Sequence, residues 1–252
     1  GIVMQATQVP APADREPRAD GKGALPAALP ASWYLEVQSQ LVDTDRQRVA
    51  PFPNIATSVN EDPTSGLDPR DLYFKLQNVD AYPEVRDSAR IYVDAWLKWA
   101  QDFSNNPASP EDRAFFRYTE QAFSDRLERI YQQLVDEAAD FDPAQDGQFT
   151  TYDQMCTYTI QWAPFNLIDG AWLRNIGGVG PMDEVMSLLF SVAMDERGDE
   201  VVSMNHCNIY RDLCHSIGYY PQPINTREFA FDPQFLDSAF TVPAFQLAIS
   251  EF

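Results

Sequence analysis

The sequence predicts an all-α protein. Apolar residues recur at helical spacing over long stretches, and the clearest is Val85, Ala89, Tyr92, Val93, Trp96 and Trp99, a wide stripe for one helix face. Helix-start pairs punctuate the chain, Asp68-Pro69 and Ser109-Pro110 among them, each placing a capping side chain before a proline in the first turn. No run alternates as a strand would, and no internal repeat is present.

The elements follow in order. Residues 1–30 are rich in Pro and Ala without an apolar period and read as a disordered or wrapping arm. Residues 31–252 form the helical domain. It opens at Ser32 with Trp33, Val37 and Leu41 at helical spacing, followed by a proline-containing loop over 51–66. A helix starts at Asp68-Pro69, and the aromatic-striped helix follows it. The next is expected from Pro110 to about Ala139. The stretch from Thr150 to Gly178 reads as helix with a disturbance at Pro164. Pro181 is expected to start a helix through "VMSLLFSVAM", and "NHCNIYRDLCHSIG" gives another that ends at Gly218. "DPQFLDSAF" and "VPAFQLAIS" read as short helices.

Charge excludes some functions. Eighteen basic residues face 38 acidic ones in 252, a net charge of −20, which repels nucleic acid and anionic membrane. No apolar window is long enough for a transmembrane helix, and the N-terminus lacks a signal-peptide pattern. Cys156, Cys207 and Cys214 form neither a Cys-x-x-Cys pair nor a disulfide framework. A cytoplasmic protein with reduced, buried thiols is expected.

Candidate chemistry centres on few residues. Asp169 is the single acid between Asp153 and Asp183, among apolar neighbours. A carboxylate there needs an exposed position, a partner such as Arg174, or a metal. Glu196 ends one apolar helix and His206 begins the next, so the two can converge across a tight corner; either can instead serve as a cap. Carboxylates with imidazole and no thiolate suit iron or manganese rather than structural zinc. His215, nine positions after His206, points to the opposite side and reads as packing or surface. Cys207 and Cys214, seven apart, read as core. The stretch Asp142–Asp153 has an EF-hand spacing, but Ala144 stands at the third position and Asp153 at the twelfth, against calcium.

"QWAPFNLIDGAWLRNI", "LLFSVAMDERGDE…NHCNIYRDLCHSIG" and "FLDSAFTVPAFQLAIS" together resemble the iron-containing redox enzymes of the heme-oxygenase-like diiron oxidase and oxygenase superfamily, over roughly residues 67–250. The resemblance implies a helical bundle without heme. It implies that Asp169 (often Glu in the family), Glu196 and His206 hold Fe(II), two ions in the complete site, with O2 as co-substrate. It implies N-oxygenation or oxidative C–C cleavage of an amine, amino-acid-like or fatty-acid-like small molecule. Trp162, Phe165 and Trp172 are pocket candidates and equally core candidates. The family's second half-site, a further Glu and an Asp/His cluster, falls after the point where this sequence stops. Those ligands, and the helices that carry them, are expected from a second polypeptide or a further C-terminal segment. The competing expectation is a structural, partner-binding subunit with a degenerate half-site.

Overall fold

A computed structural model describes residues 64–109, 113–139, 141, 142, 147, 149 and 151–252. The expectations for the arm 1–30, the helix from Ser32, the loop through residue 63, Pro110 and most of the EF-hand-like stretch lie outside the described residues. Among the described residues every regular element is helical, as the periodicity predicts.

Helix α1, Pro69–Leu76, starts where the Asp-Pro pair puts it: Asp68 accepts the Arg70 backbone N–H at 2.9 Å. Helix α2, Val85–Asn105, buries Val85, Ala89, Tyr92 and Val93, the first half of the predicted stripe. These two pack with the C-terminal helix Thr241–Ile249 around Tyr73, Leu76, Tyr92, Phe229, Phe240 and Leu247. Arg70 ties this centre to distant chain. Its guanidinium donates to the carbonyls of Ala230, Asp232 and Phe235 and pairs with Asp237 at 2.6 Å.

The third helix, α3, runs Glu120–Ala139 and begins ten residues later than expected. Phe115 N–H donates to Ser104 O at 2.8 Å, which ties Phe115 to the end of α2. Arg126 donates to Ala114 O and lies over the Phe116 ring, which fixes residues 114–116 against α3. Thr119 supplies the real cap, accepting from Ala122 N–H at 3.0 Å. Helix α3 buries no residue of its own.

The stretch expected as one disturbed helix is three pieces. Helix α4, Tyr152–Gln161, stops at Trp162; α5, Ala163–Asn166, is one turn; a 3-10 turn covers Ala171–Leu173. Pro164 has no N–H to continue the ladder, and Gly170 at φ 75° turns the chain out of helix. Asp169 therefore sits in a turn.

Helix α6, Glu184–Glu196, starts at the Asp183 cap rather than at Pro181, since Asp183 accepts from Met186 N–H at 2.8 Å. Helix α7, His206–Ser216, is capped by Asn205 and followed by Gly218 in the left-handed region. Helices α8, Arg227–Ala230, and α9, Thr241–Ile249, follow, with a 3-10 turn at Asp237–Phe240 in place of the longer helix expected there. The apolar face of 155–176 is largely covered within the chain: Ile160, Ala163, Leu167 and Ile168 are buried in the core. That of α6 is not: Val185 and Leu188 are 65% and 63% exposed, and Ala193 alone is buried. Among the described residues no helix is long and apolar enough to cross a membrane.

Candidate metal centre

Asp169, Glu196 and His206 meet. One ligand atom from each lies within 4.8 Å of the others, and no further group of three such residues does so among the described residues. His206 Nδ1 is 2.6 Å from Glu196 Oε2 and 3.2 Å from Asp169 Oδ2.

Three local features bring them together. The first is the corner between α6 and α7. Gly198, Asp199 and Glu200 are consecutively left-handed, with φ of 85°, 47° and 70°. Gly198 N–H donates to Asp195 O and Asp199 N–H to Met194 O, which closes the end of α6. A Cβ on Gly198 would lie 2.4 Å from Asn205 N, so only glycine lets the chain double back and start α7 at once. The second is Gly170, whose bare backbone abuts the Glu196 side chain. The third is the turn itself: Gly170 N–H donates to Asp169 Oδ1 at 3.1 Å, leaving Oδ2 to face His206.

The bland alternative for Asp169, a pairing with Arg174, is not what forms. Arg174 donates to Leu76 O and to Glu251, which also accepts from Arg86. Glu196 and His206 are not caps: Asn205 caps α7, and Arg197 donates to Ala193 O near the end of α6.

The donor set fits a divalent metal. Ligands at about 2.0–2.2 Å from one ion stand roughly 3–4 Å apart. The 3.2 Å between His206 and Asp169 is on that scale, while the 2.6 Å between His206 and Glu196 is shorter, so those two must draw apart to hold an ion. Glu196 Oε2 is buried and accepts no well-formed hydrogen bond; its close polar neighbour is His206 Nδ1. A cation between the groups removes that deficit. The charges point the same way. Burial, and then the negative charge of Asp169, push the Glu196 carboxyl above its usual range, although the imidazole opposes this. Burial alone lowers the His206 imidazole, yet the hydrogen bond to Asp169 and the charge of Glu196 outweigh it and raise it. The cluster takes up positive charge, from a proton or from a metal. Two oxygens and one nitrogen suit zinc, iron or manganese alike.

The side chains are 25%, 20% and 40% exposed for Asp169, Glu196 and His206, which leaves room for further ligands. Cys207, next to His206, is not a candidate ligand. Burial raises its thiol, which donates to Asp169 O at 3.8 Å. His215 is exposed and stacks on Tyr220, and Cys214 is core.

Beside the cluster runs an open groove of about 410 Å³, with Asp169 and Gly170 in its wall. Ile168, Ala171, Ile224 and Leu247 give it an apolar lining; Arg174, Arg197, Gln77 and Asn225 add polar groups. The pocket candidates Trp162, Phe165 and Trp172 do not line it; Trp162 packs edge-on to Phe165, and Trp162 and Trp172 are exposed. Sequence reasoning did not find Arg197 or Asn225, since an arginine after a helix end and an asparagine in a proline-rich loop carry no spacing signal.

No family model, curated protein or solved structure matches this chain.

Proposed function

We propose that this chain carries half of the metal site of a non-heme diiron, O2-dependent oxidase or oxygenase. Its substrate is an amine, amino-acid-like or fatty-acid-like small molecule, and its reaction is N-oxygenation or oxidative C–C cleavage. The observation that supports this best is the convergence of Asp169, Glu196 and His206 from three separate elements. Iron held there would supply the electrons for reducing dioxygen. Asp169 and Glu196 offer carboxylate oxygens, and His206 offers Nδ1. Gly170 N–H fixes the orientation of Asp169, and the glycine corner fixes the distance between Glu196 and His206. The partly open face leaves positions for substrate and for the second set of Glu, Asp and His ligands. Those ligands come from a second polypeptide or a further C-terminal segment that covers α6.

Anaerobic Fe(II) titration, read by metal analysis and Mössbauer spectroscopy, tests this. Iron should bind the wild type at this site and be lost in Asp169→Ala, Glu196→Ala and His206→Ala. Equal iron content in wild type and all three variants would sink the proposal.

The uncovered apolar residues of α6, Val185 and Leu188, favour a second reading: a partner-binding subunit without catalysis. Oxygen consumption by the iron-loaded chain together with its co-purifying partner separates the two. Iron without any oxygen uptake favours the structural subunit.

A further inference from the structure

We infer that the groove beside Asp169 is a binding site for a small amphipathic monocarboxylate, with Arg197 as its anion anchor. The binding itself stands apart from the iron proposal; its assignment as the substrate site rests on that proposal.

Charge in the groove singles out one residue. The chain carries a net charge of −20, yet two arginines, Arg174 and Arg197, line this groove. They are not equivalent. Arg174 is paired with Glu251 at 2.5 Å, a carboxylate it shares with Arg86, and is further held by Leu76 O. Arg197 has no carboxylate partner among the described residues. Its Nη1 donates to Ala193 O at 2.7 Å, and its other N–H donors remain for a ligand. A guanidinium without a carboxylate partner suits one negative charge, and its planar fork fits two carboxylate oxygens.

The rest of the groove sets the body of the ligand. Ile168, Ala171, Ile224 and Leu247 provide an apolar bed, and the volume of about 410 Å³ lies in the range of small-molecule sites. Asn225 is exposed on the rim, and its side chain makes no hydrogen bond among the described residues, so its amide is available to a ligand in the groove. Gln77 Nε2 is already committed to the carbonyls of Tyr73 and Ile224, which braces the wall. Asp169 forms part of that wall, so a molecule lying in the groove touches a residue of the metal cluster. A dianionic phosphate would meet the Asp169 charge with only one free guanidinium to offset it.

The test uses octanoate as the probe on the metal-free chain, by isothermal titration calorimetry, with octylamine and octyl phosphate alongside. Octanoate should bind in a saturable manner and in preference to both. Arg197→Gln should weaken it about tenfold or more, and Arg197→Lys by less, because the charge survives while the fork is lost. Asn225→Ala should weaken it by a smaller factor. Circular dichroism checks that each variant keeps its helix content. Equal octanoate affinity in wild type and Arg197→Gln, or tighter binding of octylamine or octyl phosphate, overturns the assignment. Fe(II) titration of the same samples keeps the two proposals separable. Arg197→Gln should still take up iron, and His206→Ala should still bind octanoate.

Discussion

Gly170 and Glu196 are in direct contact. A Cβ placed on Gly170 would stand 2.8 Å from Glu196 Cβ and 3.2 Å from its Cγ. Gly170 also has φ 75°, which side chains other than glycine rarely adopt. Gly170→Ala therefore carries both a clash and backbone strain. It should cost about 1–3 kcal/mol of stability and push the Glu196 carboxylate away from His206. Denaturant unfolding reads the first effect and Fe(II) affinity the second. Unchanged iron affinity would show that Glu196 is not held by this contact.

His206 behaves differently. Its side chain is 40% exposed and stands at the first position of α7, where Asn205 supplies the cap. His206→Ala should abolish iron binding at this site while stability changes by less than about 1 kcal/mol. A large fall in Tm would mean that the residue is structural.

Gly198 is more demanding than Gly170, because its neighbours are backbone atoms that cannot step aside. A Cβ there would lie 2.4 Å from Asn205 N and 2.5 Å from Met204 C. Gly198→Ala should destabilise by about 2–4 kcal/mol. It should also separate Glu196 from His206, so that iron affinity falls with stability. Thermal unfolding combined with metal analysis checks both; a variant as stable as wild type would contradict the packing of this corner.

The Arg70–Asp237 pair separates a buried hydrogen-bond hub from an exposed charge. Asp237 is 88% exposed on its side chain, so Asp237→Ala should cost at most about 1 kcal/mol. Arg70 is buried and serves the carbonyls of Ala230, Asp232 and Phe235. Arg70→Met should cost about 2–5 kcal/mol, because those acceptors lose their donor. Urea unfolding of both variants gives the comparison.

The parts of this fold that were legible in the sequence are those set by local chemistry. The Asp68 cap, the face of α2 and the end of α7 before Gly218 follow from residue type and spacing. The pairing of Glu196 with His206 was legible because one helix ends and another begins ten positions apart in a chain with two histidines. The true start of α3 was not legible. Ser109-Pro110 and Thr119-Glu120 both carry start signals, and contacts of Phe115 with Ser104 and of Arg126 with Ala114 accompany the later start. The left-handed backbone of Asp199 and Glu200 was equally hidden, since neither residue type demands it. The reach of Arg70 across some 160 positions has no local signature at all.

The two helices that bring Glu196 and His206 to the site arrive by opposite ends, the C-terminus of α6 and the N-terminus of α7. Aligned peptide dipoles make the first end partly negative and the second partly positive, each worth about 0.3–1 kcal/mol to a nearby charge. The negative end adds to the two carboxylates and deepens the attraction for a cation beside Glu196. The positive end acts on His206 and disfavours an imidazolium there, against the pull of the same carboxylates. Any positive charge held at the cluster, proton or cation, thus meets one helix end that favours it and one that opposes it, which leaves the carboxylate side as its favourable place.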